Sequence, residues 1–495
     1  MNSDKINSDF HDRDTVSGRG GRRPPNLLFV FPDQMRGTAM GFLGKEPVLT
    51  PRLDRFSAES LVLTQAASNF PVCSPYRAML MSGKYSPANR VLGNCFTASP
   101  RGRHAAYHSL PLPDCELQES DRCWSDVLHD QGYSLGYVGK WHLDMPHEPF
   151  IVCANNTGGQ AWNEWCPPHR RHGFDYWYSY GTYDEHHRPM YWETDTPREG
   201  FRFVDQWSPE HEADRAIDYL RNEGGRFRDP EKPFALVVSN NPPHMPYHTV
   251  PDRYRERYAG ISTEELCERS DIPPVGSEWG DHYRRNIRDY YAAITGVDEQ
   301  FGRILDTLDE LGLSDDTIVV FTSDHGECLG IHNHPDKGCP YEASMHVPFM
   351  IRWPGKISPR HDDLLLSTPD IYPTLIDLMG LKGQIPQDVQ GVSHADVFLT
   401  GEGERPSSQL YLCLWHDPAN PSGGARGVRT ERYTYVEGDQ AREEARIMLF
   451  DREVDPFELH NLAPERPDLI KCLHDEELVP WLMKTNDPFQ SRLAD

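Results

Sequence analysis

The chain has 495 residues, 37% hydrophobic and 11% aromatic, which is too apolar and too aromatic for a disordered polymer. Its 42 prolines and 38 glycines exclude a coiled coil or a long helical bundle and require abundant loops. A net charge of −26 argues against nucleic acid or any long polyanion as a partner, because those are held by Lys and Arg.

Residues 1–24 are polar and rich in Gly and Arg, and read as a disordered or tag-like segment. Arg22-Arg23 is followed only by the short apolar run Leu27–Phe31, too short for a signal-peptide core, and no run reaches the roughly 18–20 apolar residues of a membrane span. The expectation is a cytoplasmic protein without membrane association, or a periplasmic or secreted one if a signal segment has been removed. The 11 cysteines are scattered with no C-x-x-C pair, so reduced thiols are expected rather than a zinc ribbon. Oligomeric state leaves no trace in the sequence.

Four short apolar runs read as buried strands: Asn26–Phe31 (NLLFVF), Ser134–Val138 (SLGYV), Phe234–Val238 (FALVV) and Thr317–Phe321 (TIVVF). Helical patterns lie between them at Asp121–Gln131, Glu210–Arg221 and Arg284–Leu311. The alternation predicts an α/β fold, a large, mostly parallel sheet sandwiched by helices. Residues 145–210 break the rhythm with a dense run of Trp, Tyr, His and Arg, read as a loop-rich insert over the sheet. Beyond 365, STPDIYPTLIDLMGL reads as a helix; Gln409–Leu414, Gly427–Arg429, Arg432–Val436 and Ile447–Phe450 read as a small antiparallel sheet. The expected organisation is a catalytic domain over 25–375, including the insert, and a smaller C-terminal α+β subdomain over 376–495.

Each predicted strand leads directly into polar or ionisable residues. Asp33-Gln34 comes after the first, Lys140-Trp141-His142 after the second, SNNPP and His244 after the third, and Asp324-His325 after the fourth. Ligands in open α/β sheets bind outside the carboxyl ends of strands, so these residues are expected to share one cleft. Asp33, Gln34, Asp324 and His325 offer three oxygens and a nitrogen. That oxygen-rich set suits Ca2+ or Mg2+, and the imidazole admits Mn2+ or Zn2+. Lys140, His142, His244 and Lys337 add positive or proton-carrying groups suited to a tetrahedral anion, sulfate or phosphate. Cys73 is either a small buried residue or, near a helix start with Arg77 four positions on, a nucleophile of lowered pKa.

Cys73-Ser74-Pro75-Tyr76-Arg77 followed by AMLMSGKY resembles the signature of the formylglycine-dependent (type I) sulfatases of the alkaline phosphatase superfamily. PNLLFVFPDQMR, TPRLDRFSAES, GYVGKWHL, NPPHMPY, FTSDHGE, the segment from Lys337 through VPFMIRWPG, and LFDREVDPFELHNLA resemble the family's successive motifs, in order, from Pro25 to Leu462. The resemblance implies an alkaline phosphatase-like mixed sheet and a sulfuric ester hydrolase. It implies that Cys73 is oxidised by a formylglycine-generating enzyme and that the hydrated aldehyde attacks sulfur. Asp33, Gln34, Asp324, His325 and residue 73 would hold a divalent metal, most simply Ca2+, with Mg2+ or Mn2+ as alternatives. Arg77 and Lys140 would stabilise the ionised hydrate, His244 and Lys337 would bind sulfate and one of them would protonate the leaving alcohol, and His142 would act as base when sulfate is expelled. Many members carry Asp and Asn where this chain has Gln34 and His325. The Gln/His pair resembles a subset containing phosphonate monoester and phosphodiester hydrolases as well as carbohydrate sulfatases. The expected substrate is a sulfated mono- or short oligosaccharide, with Tyr183, His186, His187 and Arg188 of the insert as candidate contacts; phosphonate monoester or phosphodiester hydrolysis is the alternative.

Overall fold

The computed structural model describes residues 24–99, 109–415, 417–439, 446–489 and 491; all but residue 24 of the expected N-terminal tail lies outside them. The four predicted strands are present as Asn26–Pro32, Ser134–Lys140, Phe234–Asn240 and Thr317–Thr322. Every residue of each is buried, as expected of central parallel strands covered on both faces. They pair in parallel, with Asn26–Pro32 between Thr317–Thr322 and Phe234–Asn240, and Ser134–Lys140 on the far side of the latter.

The sheet runs to ten strands. On one side it continues through Phe349–Arg352 and Leu61–Leu63, both antiparallel to their inner neighbours, to Arg360–Asp362. On the other side Tyr176–Tyr180 adds in parallel, followed by Met190–Glu193 and Arg202–Phe203 in antiparallel. This corrects the reading of 145–210 as loops, because part of the insert is the sheet's own edge. Its aromatic residues build core instead of marking irregular chain. Trp177, Tyr178, Tyr180 and Trp192 are buried, the rings of Tyr178 and Tyr191 lie 4.7 Å apart, and the Tyr180 and Tyr191 hydroxyls both donate to Glu212, at 3.1 and 3.0 Å.

Alternate residues of the first strand enter different cores. Leu28 and Val30 pack with the helices Ser208–Arg221 and Glu278–Glu310. Leu27, Phe29 and Phe31 pack with Cys73–Ser82, Trp124–Asp130 and Thr368–Leu378. The longest helix starts six residues before the sequence pattern does, because the Ser277 side chain caps it by accepting from the Gly280 N–H. The C-terminal strands Ser408–Cys413, Ala425–Thr430, Tyr433–Gly438 and Ile447–Asp451 form a four-stranded antiparallel sheet. It shares the first of the two cores, and Arg429 fastens it to Glu342 of the Glu342–Met345 turn of helix through two hydrogen bonds of 2.5 and 2.9 Å. No helix among the described residues is long and apolar enough to cross a membrane.

One glycine fixes how the second strand delivers its functional residues. Gly139 has φ +100°, and a Cβ there would stand 2.1 Å from the Ser239 carbonyl oxygen of the adjacent strand. Gly139→Ala is expected to lower unfolding stability by about 3 kcal/mol, through both backbone strain and displacement of the strand. Urea denaturation measures it, and an unchanged midpoint would contradict this role.

Candidate active site

The strand ends converge as expected. Asp33 follows the first strand, Lys140 ends the second, and Asp324 stands two residues beyond the end of the fourth. Cys73 opens the helix Cys73–Ser82. Asp33, Cys73, Asp324 and His325 are all buried and place one donor atom each within 4.8 Å of one another. The Cys73 Sγ lies 3.4 Å from His325 Nε2, 3.7 Å from Asp33 Oδ1 and 3.8 Å from Lys140 Nζ.

Two cations hold the acidic pair. Arg77, one turn along the same helix, donates through Nη2 to Asp33 Oδ2 at 3.0 Å and to Asp324 Oδ2 at 3.1 Å. Its Nη1 donates to the Lys140 carbonyl at 2.6 Å and to Ser239 Oγ at 2.8 Å, so helix and sheet are locked together through the site. Lys140 Nζ stands 2.7 Å from Asp33 Oδ2 and donates to Asn241 Oδ1 at 3.0 Å. Burial acts to raise Asp33, but Lys140, His244, His325 and Arg77 outweigh it and hold the carboxyl well below the ordinary range. Asp324 goes the other way: burial and the charge of Asp33 push it up to about 7. Burial, reinforced by Asp33, also raises the Cys73 thiol, which disfavours the reading of Cys73 as a standing thiolate nucleophile.

Gln34 has φ +73°, and its backbone N–H donates to Asp324 Oδ1 at 3.0 Å. Its side-chain oxygen accepts from Lys337 Nζ, and its amide donates to Tyr247 and to Glu327, whose carboxyl burial pushes up to about 8. The carboxamide is thus oriented from three sides beside the acidic pair. His142 also has a positive φ, +52°; it is buried, and neither ring nitrogen has a hydrogen-bond partner. Such strain and such an unsatisfied imidazole are costs that a ligand-binding site bears. Burial, with Lys140 and Arg77, holds His142 well below its ordinary value; burial, with Lys337 and Lys140, does the same for His244. Both are neutral imidazoles at neutral pH. Burial opposes the Lys337 ammonium, but negative charge at residue 73, Asp33, Asp336 and Glu327 outweighs burial and holds its pKa above the ordinary value.

Cys73, Lys140, His142, His244 and Lys337 line one pocket of about 310 Å3. The four insert candidates do not line it. Tyr183 and His186 are buried in the core or under His244, whose carbonyl lies 3.0 Å from His186 Nε2, while His187 and Arg188 face solvent and Arg188 pairs with Asp205. The insert's contribution is instead Asn155, Trp162, Thr182 and Asp184, joined from elsewhere by Asn94 and Trp415. Thr182 and Asp184 flank Tyr183; a residue beside a buried aromatic is the only local signal that pointed to them.

The donor set fits a divalent cation. Arg77 and Lys140 compensate the two fully buried carboxylates only in part, since Asp324 is still pushed up to about 7, and a divalent cation between them would supply the missing positive charge. Carboxylate oxygens with one imidazole and a nearby carboxamide suit a hard ion. Without metal, folded Asp324 retains a proton that the unfolded chain releases near its ordinary value, so stability falls as pH rises toward about 7. With metal both carboxylates ionise and that slope disappears. The rise in Tm when Ca2+ is added to chelator-treated protein is therefore expected to be several degrees larger near pH ~8 than near pH ~5.5. Differential scanning calorimetry reads it, and an increment independent of pH would contradict the assignment.

Comparison with known proteins agrees with this geometry. The sulfatase family profile matches residues 25–381, and the profile of the N-sulphoglucosamine sulphohydrolase C-terminal region matches 330–478. An endo-4-O-sulfatase of Bacteroides thetaiotaomicron is 38% identical over 94% of this chain and 93% of its own length. An ulvan-active sulfatase of Formosa agariphila is 31% identical over 97% of this chain and 85% of its own. The crystal structure of the candidate sulfatase yidJ from Bacteroides fragilis superposes with a TM-score of 0.87 at 47% identity, covering 96% of this chain and 98% of that one. With the acidic pair, the cysteine at the helix start and the two lysines gathered in one pocket, these matches place the chain in the sulfatase family, as a sulfuric ester hydrolase.

Proposed function

We propose that this sulfatase desulfates a carbohydrate, a 4-O-sulfated mono- or oligosaccharide, using Cys73 matured to formylglycine by a formylglycine-generating enzyme, and Ca2+ or another hard divalent ion. The observation that carries the reading is the position of Cys73. Its Sγ stands within 4 Å of Asp33, His325 and Lys140 at the floor of a pocket whose walls hold Lys337 and His244. The activity of the endo-4-O-sulfatase relative supports the substrate class.

A hydrated aldehyde at residue 73 would supply the nucleophile, and a divalent ion would supply Lewis acidity. The rest falls to side chains of the chain itself. Asp33, Asp324, His325 and the Gln34 carboxamide would hold the ion. Arg77 and Lys140 balance negative charge at residue 73, with Arg77 fixed by four hydrogen bonds. Lys337 keeps its proton and binds sulfate oxygens as a fixed cation. His244 Nδ1 donates to the Met245 carbonyl at 2.7 Å, so Nε2 is unprotonated in the resting site; it takes up a proton from solvent as the anionic ester binds and gives that proton to the leaving alcohol. His142, neutral and unpartnered, accepts the proton that must leave when sulfate is released.

Mass spectrometry of the tryptic peptide Phe56–Arg77, after coexpression with a formylglycine-generating enzyme, is expected to show aldehyde in place of thiol at position 73. Cys73→Ala is expected to lower kcat/KM by at least about 10³-fold, and Lys337→Ala by about 10²–10³-fold. An unmodified thiol in a fully active preparation would sink the mechanism. The Gln34/His325 pair supports a second reading, phosphonate monoester or phosphodiester hydrolysis. Turnover of matched aryl sulfate, phosphonate and phosphodiester separates the two: the sulfate is expected to be fastest, and a dominant phosphonate rate would reverse the choice.

A further inference from the structure

The pocket contains a carboxylate that sulfate chemistry does not ask for. Asp184 lines the same cavity as Lys140, Lys337 and His244, and its side chain is 31% exposed there. A negative group beside a bound sulfate costs electrostatic energy. The protein nonetheless holds this one firmly in place. Asn155 Nδ2 donates to Asp184 Oδ2 at 2.8 Å, Asn241 Nδ2 donates to Oδ1 at 3.1 Å, and the Asp184 N–H donates back to Asn155 Oδ1 at 3.1 Å. Each carboxylate oxygen therefore has one fixed partner and capacity for another.

In the same cavity stands an indole. Trp162 lines the pocket and is braced from behind by Phe96, with ring centroids 4.6 Å apart and planes 16° from parallel. A braced aromatic face and a fixed carboxylate are what a sugar ring calls for, with its C–H face on one and a hydroxyl on the other. An aryl sulfate has no hydroxyl to donate to that carboxylate.

Resting on the carbohydrate reading above, we propose that Asp184 is the specificity-determining residue for the sugar: its carboxylate accepts a hydrogen bond from a free hydroxyl of the sulfated ring, which lies against Trp162. A site built to pair a hydroxyl penalises the analogue lacking it, because the carboxylate then loses water without gaining a partner. The alternative role for Asp184 is purely positional, through His244, whose Nδ1 lies 3.5 Å from Oδ1, or through Asn241 and Lys140.

The test compares 4-nitrophenyl sulfate, a 4-O-sulfated galactoside oligosaccharide, and its 3-deoxy and 6-deoxy congeners, in the mature metal-loaded enzyme and in Asp184→Asn and Asp184→Ala. The ratio of kcat/KM for the sugar to that for the aryl sulfate is expected to fall at least about tenfold in both variants. With one deoxy congener the wild type is expected to be equally impaired, and the substitutions to cost that congener nothing further relative to the aryl sulfate. A ratio unchanged in both variants means that Asp184 acts only by positioning, and overturns this inference alone. A wild type that turns over the aryl sulfate and none of the sugars overturns the carbohydrate reading and this inference with it.

Discussion

Asp33 and Asp324 are both fully buried, and both accept from the same Arg77 nitrogen, at 3.0 and 3.1 Å. Bringing two carboxylates together away from water is among the most expensive arrangements a protein can make, and it persists only with compensating charge. Much of the site can be understood as that compensation. Lys140, with the neighbouring histidines and Arg77, settles Asp33, whereas His325 and Arg77 relieve Asp324 only in part and leave it to a divalent cation. The same concentration of positive charge, once a metal is added, makes the pocket attractive to a compact anion and stabilises negative charge at residue 73. Holding a metal and binding the ester are thus one electrostatic problem with one solution.

The scaffold serves that problem by register. Asn26–Pro32, Phe234–Asn240 and Ser134–Lys140 pair in parallel, so their carboxyl ends finish level, and Asp33, Asn241 and Lys140 emerge side by side. Cys73 comes from a different element, the first turn of a helix packed on the sheet, and Arg77 lies one turn further along that helix. Arg77 reaching to the Lys140 carbonyl and Ser239 holds the helix start against the strand ends. Positive φ at Gln34 and His142 belongs to the same design, since the chain must turn sharply after each strand to aim the next side chain inward.

The central strands were legible because burial on both faces demands continuous apolar runs, and those runs are conspicuous in NLLFVF and TIVVF. The metal and catalytic candidates were legible because they sit directly after such runs or in the C-x-P-x-R segment. The edge strands were not. Tyr176–Tyr180 and Met190–Glu193 are aromatic and short, and their strand character depends on neighbours, Glu212 and the helix carrying it, that are distant in sequence. The pocket wall contributed by the insert was least legible of all. Asn155, Trp162 and Asp184 carry no pattern of their own, and the choice of Tyr183, His186, His187 and Arg188 rested on residue type, whereas the fold buries two of these and exposes two. Composition singled out a segment that reaches the pocket, but only tertiary structure could say which of its side chains face it.

The account stands or falls on what occupies the space between Asp33, Asp324, His325 and residue 73. A crystal structure of the mature enzyme grown with Ca2+, with anomalous scattering to locate the ion, tests this directly. The account predicts one cation bound by both carboxylates, the His325 imidazole and the Gln34 carboxamide, facing an oxygen of a modified residue 73. A cation bound elsewhere, with Asp33 and Asp324 bridged by Arg77 alone and an unmodified Cys73 thiol, would contradict it.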